Sequence, residues 1–303
     1  MALIIVVGSR SAQRRRLQYL PPKISIEGHG IKRGLTAVEA AILLEEPLDK
    51  ILTMILFAVV KKGAATVTSR DPLELTVTQP QPDGLQPYET KFLEAFQQKE
   101  KLARRKVMQE LMVDLVQAVA QKMKGFSRRE TVAYYRDIMT RAWAEVEAAN
   151  TPEVKSQKYD EVMEWTMLDR DYDQRTRRVF QSGPVFVPIW WPRYDPGFGR
   201  GASGMPVSTS TGGGGSGGGG ISMPTLPGSA FAASVVTGPQ HFAQSVIGNV
   251  TDFTGAITNK TNPPPPPPPA SSSRGGWSGG GGHACACACA CAGCACACAG
   301  GGR

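Results

Sequence analysis

Residues 35–63 read LTAVEAAILLEEPLDKILTMILFAVVKKG, and this stretch contains the clearest helix signals in the chain. The Thr36 hydroxyl can accept a hydrogen bond from the backbone N–H of Glu39, and the Glu39 carboxylate can accept one from the backbone N–H of Thr36. This arrangement is known as a capping box. The spacing therefore predicts a first helix that begins after Thr36 and continues to about Glu45. Pro47 follows at a position where its missing N–H is harmless, so it marks the start of a second helix.

The second predicted helix runs from Leu48 to Lys62 and is almost entirely apolar. Its terminal lysines lie at the negative end of the helix dipole, and Gly63 suits the left-handed residue that closes a helix. Nine of the ten residues at 51–60 are apolar. A helix of this composition is buried or faces a partner, and it lacks the polar side chains that read DNA bases.

Two short β-prone segments follow this helix. Ala64–Ser69 and Leu73–Thr78 are rich in Thr and Val, and residues 70–72 (Arg-Asp-Pro) separate them as a turn. Two helices and a hairpin predict a small winged-helix-like unit at residues 35–80. Three cations of this unit could touch a DNA phosphate: Lys50, Lys61 and Lys62. Because so few cations are available for phosphate contact, we expect no nucleic-acid partner. A DNA-binding regulator is therefore the less favoured alternative.

A second helical region, residues 87–180, follows a proline-rich linker. Apolar residues recur every three or four positions along it, among them Tyr88, Phe92, Phe96, Met108, Leu111, Leu115, Val119 and Met123. Ser127 and Thr151 mark helix starts, so the region predicts a three- to four-helix bundle. The predicted fold class is mainly α: the winged-helix-like unit, then the bundle, then a disordered tail rich in Gly, Pro and Cys.

Aromatic residues and prolines are interleaved at residues 181–198. The aromatic residues are Phe186, Trp190, Trp191, Tyr194 and Phe198. Such a segment docks either on its own bundle or on a partner. Docking on its own bundle is favoured, because exposed aromatic surface is unfavourable in water.

Residues 199–303 are predicted to form a low-complexity tail. Residues 212–220 are glycine with one serine, and Pro263–Pro269 predicts a polyproline rod. Between them, an apolar island recurs at helical spacing: Phe231, Val235, Phe242, Val246, Val250, Phe253 and Ile257. This island is either a helix that binds a partner or a membrane surface, or disorder with chance periodicity.

The first residues, 1–16, combine an apolar run with a cluster of arginines. Residues 1–7 are too few to span a bilayer, which takes about 20. Arg14–Arg16 follow closely, as at the cytoplasmic end of a transmembrane helix. We therefore expect a truncated membrane-helix end here, with a buried strand over residues 3–7 as the alternative. Residues 17–34, rich in proline and glycine, are predicted to be a linker.

All seven cysteines lie in the tip at residues 283–303, where they alternate with alanine. Closely spaced thiolates chelate soft metal ions such as Zn(II) or Cu(I), and a histidine nitrogen can add a ligand. The candidate ligands are Cys285, Cys287, Cys289, Cys291, Cys294, Cys296, Cys298 and His283. The alternatives are a repeat that is tolerated without function, or an attachment point for a lipid or a disulfide cross-link. An odd number of thiols excludes a closed set of internal disulfides.

The sequence contains no recognisable constellation of catalytic residues. Its three histidines are His29, His241 and His283, which fall in linker or low-complexity sequence. It has no nucleotide-binding glycine motif and no nucleophile elbow. Asp169, Asp171 and Asp173 resemble the start of a calcium loop, but Gln174 stands where that loop needs glycine. We therefore expect no enzymatic activity.

The order of these features resembles the C-terminal cytoplasmic part of YciQ-like bacterial predicted membrane proteins of unknown function. Three stretches carry the resemblance: residues 35–63, the Lys-Gly-Phe-Ser-Arg-Arg-Glu run at 124–130, and the Cys-Ala ending. The resemblance implies a module at the cytoplasmic face of the bacterial membrane. It implies no catalytic residues.

The expected function is a non-enzymatic, membrane-proximal adaptor with a protein partner and the membrane surface as its contacts. The net charge of +8 is dispersed along the chain and forms no stripe for a nucleic-acid duplex. The alternative function is soft-metal binding or buffering by the tail, with Zn or Cu(I) as the metal.

Overall fold

Ten helices and four short strands make up the part of the chain that the computed structural model describes, residues 19–21, 24, 28–181, 183–197, 225–242 and 246–263. In chain order they are α1 (Ala37–Leu43), α2 (Leu48–Lys61), β1 (Ala65–Arg70), β2 (Leu73–Val77), α3 (Pro87–Gln97), α4 (Lys101–Lys122), α5 (Arg128–Glu147), α6 (Pro152–Thr166), α7 (Tyr172–Val179), β3 (Pro184–Phe186), α8 (Trp191–Tyr194), β4 (Thr225–Pro227), α9 (Gly228–Phe242) and α10 (Val250–Thr261). The predicted fold class, mainly helical with a small antiparallel hairpin, is confirmed.

Helices α1 and α2 begin where their capping signals predict, and they end at Leu43 and Lys61, within two residues of the predicted ends. The Glu39 backbone N–H donates to the Thr36 hydroxyl at 3.2 Å, and the Thr36 N–H donates to the Glu39 carboxylate at 3.2 Å. Helix α2 begins directly after Pro47, and Gly63 adopts a φ of 75° just beyond its end. These elements form locally because each signal satisfies backbone groups that the helix ends leave unpaired.

Two separate two-stranded ladders supply all the sheet structure of the described residues. Strand β1 pairs antiparallel with β2, with Arg70 opposite Leu73 beside the turn. Strand β3 pairs antiparallel with β4, with Val185 opposite Leu226. The second ladder joins segments on either side of the glycine-rich stretch, so the chain after this stretch pairs again with the chain before it.

Helix α2 forms the centre of the hydrophobic core. Every residue from 51 to 60 except Ala58 is buried. The helix packs against α1, α3, α8, α9 and α10. A helix that is apolar on all sides must be covered on all sides in water. Of the two predicted alternatives, burial or contact with a partner, burial within its own fold is correct for α2.

Helices α3–α7, which cover the predicted bundle, share one core with α1 and α2. In α4 the buried residues include those that the spacing indicates: Met108, Leu111, Leu115 and Val119. Trp143 of α5 and Tyr159 of α6 lie with ring centroids 6.3 Å apart. The Leu35 N–H donates to the Tyr135 hydroxyl at 2.8 Å, which ties α5 to the residue before α1.

The aromatic and proline-rich segment docks on the chain's own core, as its composition favours. Trp191 and Tyr194 are buried, and the Tyr194 ring lies 4.8 Å from the Phe57 ring of α2. The indole N–H of Trp190 donates to Asp160 Oδ1 at 2.7 Å. Phe198 lies outside the described residues.

The apolar island within the predicted tail is helical and packs into the core. Phe231 and Val235 of α9 and Phe253 and Ile257 of α10 are all buried. The disorder predicted for the tail from residue 199 onward is therefore wrong for residues 225–242 and 246–263, which contain α9 and α10. The physical reason is that few charges interrupt the island, so its apolar face can complete a core that the preceding residues leave incomplete.

The predicted linker at residues 17–34 is partly anchored to this core. Tyr19 is buried, and its hydroxyl donates to the Glu46 carbonyl oxygen at 2.7 Å. The Thr261 hydroxyl of α10 donates to the Tyr19 carbonyl oxygen at 2.6 Å. The membrane-helix end predicted at residues 1–16, the glycine stretch at 212–220 and the rod at 263–269, apart from residue 263, lie outside the described residues.

Candidate functional site

The metal ligands predicted from the sequence lie outside the described residues. This applies to His283 and to all seven cysteines, at positions 285, 287, 289, 291, 294, 296 and 298. Within the described ranges, no group of three or more His, Cys, Asp or Glu side chains could hold a metal ion. Metal binding by the tail therefore stays a prediction from sequence.

The three lysines considered for phosphate contact are each held by a carboxylate. Lys50, Lys61 and Lys62 pair with Glu46, Asp160 and Glu89 at 2.9, 3.2 and 2.6 Å. Paired in this way, they offer little free positive charge to a nucleic acid.

The aspartate-rich loop before α7 is neutralised by an arginine. Arg175 lies 3.3 Å from Asp169 and 2.8 Å from Glu147 of α5. These two carboxylates raise the pKa of Arg175, with the Glu147 hydrogen bond as the larger cause. Asp169 of this loop is therefore held by a contact within the fold.

A cavity of about 580 Å³ lies where the end of α1 meets the first half of α5 and the loop between α6 and α7. Four arginines line it: Arg128, Arg129, Arg136 and Arg170. Its remaining lining residues are Leu43, Leu44, Glu45, Val132 and Ala133. We call this feature the arginine cleft.

Helix α5 positions three of the four arginines. Ser127 caps the helix by accepting the Glu130 N–H, so Arg128 and Arg129 begin its first turn. Arg136 follows Arg129 by seven residues, about two helical turns, and therefore lies on the same face. Arg170 comes from the loop after α6 and joins them only in the folded chain.

The cleft carries an excess of positive charge. Arg128 pairs with Glu45 at 2.8 Å. Arg129, Arg136 and Arg170 form no ion pair with any other residue that the structure describes. All three residues are exposed, and guanidinium groups bind carboxylates and phosphates in a forked geometry.

Glu45 adopts a strained backbone at the edge of the cleft. Its φ is 60°, in the left-handed region that favours glycine, and this conformation costs other residues roughly 1–2 kcal/mol. The Glu46 N–H donates to the Ala41 carbonyl oxygen at 3.0 Å and so helps to hold the turn. The Glu45 N–H also donates to the Ile42 carbonyl oxygen at 3.1 Å, so Glu45 is the left-handed residue that closes α1, and its carboxylate pairs with Arg128.

Guanidinium groups and apolar side chains make up most of the lining of the cleft. Buried Leu43 and Leu44 give it an apolar floor beneath the guanidinium groups. Such a cleft can take an anionic group that is attached to an apolar one.

Sequence reasoning did not select these arginines. The signal that could have found most of them is the Arg129–Val132–Arg136 spacing, which repeats an arginine on one helical face with an apolar residue between. No local pattern adds Arg170 to that set. Tertiary packing alone brings it to the cleft.

None of the helices in the described ranges is long and apolar enough to cross a membrane.

Comparisons of the chain with protein-family models, with curated proteins and with solved structures yield no match.

Proposed function

We propose that this protein is a non-enzymatic interaction module, and that its arginine cleft docks an acidic segment of a protein partner. The segment would place carboxylates on Arg129, Arg136 and Arg170 and an apolar side chain on the leucine floor. The single observation that carries the proposal is that these three arginines converge on one cavity without a carboxylate partner among the described residues.

A location near the cytoplasmic face of a bacterial membrane is part of this proposal. It rests on the apolar run and arginine cluster at residues 1–16 and on the resemblance to YciQ-like proteins. A module held near a membrane would search a small volume for its partner, which raises the effective concentration of both.

The proposal predicts selective loss of acidic-peptide binding when the cleft is neutralised. The probe is a fluorescein-labelled dodecapeptide of glutamates interspersed with leucines, followed by fluorescence anisotropy with the full chain. Changing Arg129, Arg136 and Arg170 together to Gln should weaken binding about 10- to 100-fold, because each exposed charge pair contributes up to about 1 kcal/mol. Glu45→Gln should tighten binding, because it releases Arg128.

The matched control removes the same charge elsewhere. Lys101, Lys106 and Lys124 are exposed and unpaired within the described residues, and their joint change to Gln should leave affinity nearly unchanged. Equal losses in both triple variants would mean that net charge alone governs binding, and would refute a cleft. Cleft-dependent binding to phosphatidylglycerol vesicles without peptide binding would replace the protein partner with a membrane surface.

Soft-metal binding by the tail is a second candidate function. The observation that favours it is the alternation of all seven cysteines with alanine near His283. We expect protein purified anaerobically under reducing conditions to retain about one to four Zn or Cu(I) ions per chain, because each ion takes up to four thiolates. Elemental analysis measures this directly.

The control for metal binding is a variant with all seven cysteines changed to serine. It should lose the metal while keeping its helical content, since those cysteines lie outside the described core. Metal-free protein with seven titratable thiols would exclude this function. Metal retained by the serine variant would move the site elsewhere in the chain.

A further inference from the structure

A second cavity, of about 360 Å³, lies between the start of α1, the end of α2, the start of α3 and the end of α6. It shares no lining residue with the arginine cleft. Its volume falls within the range of about 300–1,000 Å³ that is typical of small-ligand sites. We call it the tryptophan–methionine cavity after the residues that dominate its walls.

The walls of this cavity are aromatic and sulfur-containing. Its buried lining residues include Met54, Phe57, Met163, Met167 and Trp190. Trp165 and Tyr88 line it as well and are half-buried. Thioethers and aromatic rings are polarizable, and ring faces attract cations.

One carboxylate in the cavity wall forms no ion pair within the part of the chain that the structure describes. Lys62 lies 2.6 Å from Glu89, and Lys61 lies 3.2 Å from Asp160, so these four groups neutralise each other in pairs. The Glu164 carboxylate also lines the cavity, but it makes no hydrogen bond or ion pair with any described residue. Glu164 is an exposed residue whose carboxylate is partly desolvated at the cavity, which raises its pKa, while the charges of Lys61 and Lys62 lower that pKa.

We propose that the tryptophan–methionine cavity binds a small organic cation, an amine with an aromatic or otherwise apolar body. The ammonium group would pair with Glu164 beside the faces of Trp165 and Tyr88, and the body would lie against the methionines. An anion would be repelled by the Glu164 carboxylate, and the two lysines already pair with Glu89 and Asp160. A neutral molecule would cover Glu164 without pairing it, which is unfavourable.

The test compares three probes with the same aromatic body: phenethylamine, phenethyl alcohol and phenylacetate. Binding to the full chain at neutral pH is measured by calorimetry and by quenching of tryptophan fluorescence. We expect saturable binding of the amine, with the alcohol and the acid at least about tenfold weaker, because only the amine pairs with the carboxylate.

Two variants separate the roles of charge and shape. Glu164→Gln keeps the size of the side chain, and it should weaken amine binding about tenfold while leaving alcohol binding unchanged. Ala58→Leu inserts a larger side chain into the cavity wall and should abolish binding of every probe. The control is Glu161→Gln, on the exposed surface of α6, where Glu161 pairs with Lys158.

Several outcomes would overturn the proposal. These are equal binding of all three probes, preference for the acid, unchanged amine affinity in Glu164→Gln, or no saturable binding at all. The variant with Arg129, Arg136 and Arg170 changed to Gln should keep its amine affinity. The amine site therefore stands or falls independently of acidic-peptide docking.

Discussion

Replacing Phe231 by alanine is expected to lower the free energy of unfolding by about 3–5 kcal/mol, the range for deleting a buried aromatic ring. Phe231 is 1% exposed, and its ring centroid lies 4.9 Å from that of Trp191 and 5.3 Å from that of Phe180. Alanine would leave a cavity among rings that belong to different segments of the chain. Chemical unfolding followed by tryptophan fluorescence and circular dichroism measures the loss.

The control for Phe231→Ala is Ile189→Ala. Ile189 is 85% exposed, so its truncation should change stability by less than about 0.5 kcal/mol. A Phe231→Ala effect as small as that of the control would mean that α9 does not pack on the core. The experiment thus decides between a docked island and a disordered one.

Replacing Gly228 by alanine is expected to destabilise the fold by about 1–3 kcal/mol, the usual range for overpacking. A Cβ at this position would lie 2.2 Å from the carbonyl oxygen of Phe180 and 3.1 Å from that of Gly183. Both are backbone atoms, so a side-chain rotation cannot relieve the overlap. The start of α9 would have to move away from the end of α7 and break the 3.0 Å hydrogen bond from Gly228 N–H to Gly183.

Gly255→Ala is the matched control, and its expected effect has the opposite sign. Gly255 lies within α10, and a Cβ there would meet no other atom within 4 Å. Alanine should therefore stabilise the protein by about 0.5–1 kcal/mol, because it lowers the backbone entropy of the unfolded chain relative to glycine. If both variants shift the denaturation midpoint in the same direction, the close approach of α9 to α7 is wrong.

Local signals predict the first helices and the hairpin well. The capping box at Thr36 and Glu39, the proline before α2 and the glycine after it each satisfy or terminate a nearby backbone segment. The contacts involved join residues that are neighbours in sequence, so the residue types alone predict them. The complete burial of α2 also follows from its composition.

The island at residues 225–263 shows where local reasoning is insufficient. Low-complexity sequence flanks it on both sides, and this context favoured a tail over the whole region. Its burial depends on apolar surface that α2, α4 and α7 leave open, and these helices lie far from it in sequence. Hydrophobic burial is non-directional, so a sequence pattern indicates an apolar face without indicating what covers it.

The candidate sites divide in the same way. The spacing of Arg129 and Arg136 lies in the sequence, because helical periodicity places both on one face. Whether Arg170 joins them, and whether Lys61 and Lys62 are free or paired, depends on helices that meet only after folding. An electrostatic site is set by distances between charges, and sequence separation does not determine those distances.

The sequence by itself determined the helical class, the starts of α1 and α2, the position of the hairpin, and the confinement of every cysteine to one tip. Those features depend on composition and on contacts within a few residues. The tertiary structure alone decided that α9 and α10 belong to the core, that three arginines without an ion pair among the described residues converge on one cleft, and that Glu164 lies in the wall of an aromatic cavity. Each of these features depends on contacts between residues that are far apart in sequence. The local sequence pattern shows that a residue is apolar or charged, but it does not specify which distant residue it will contact.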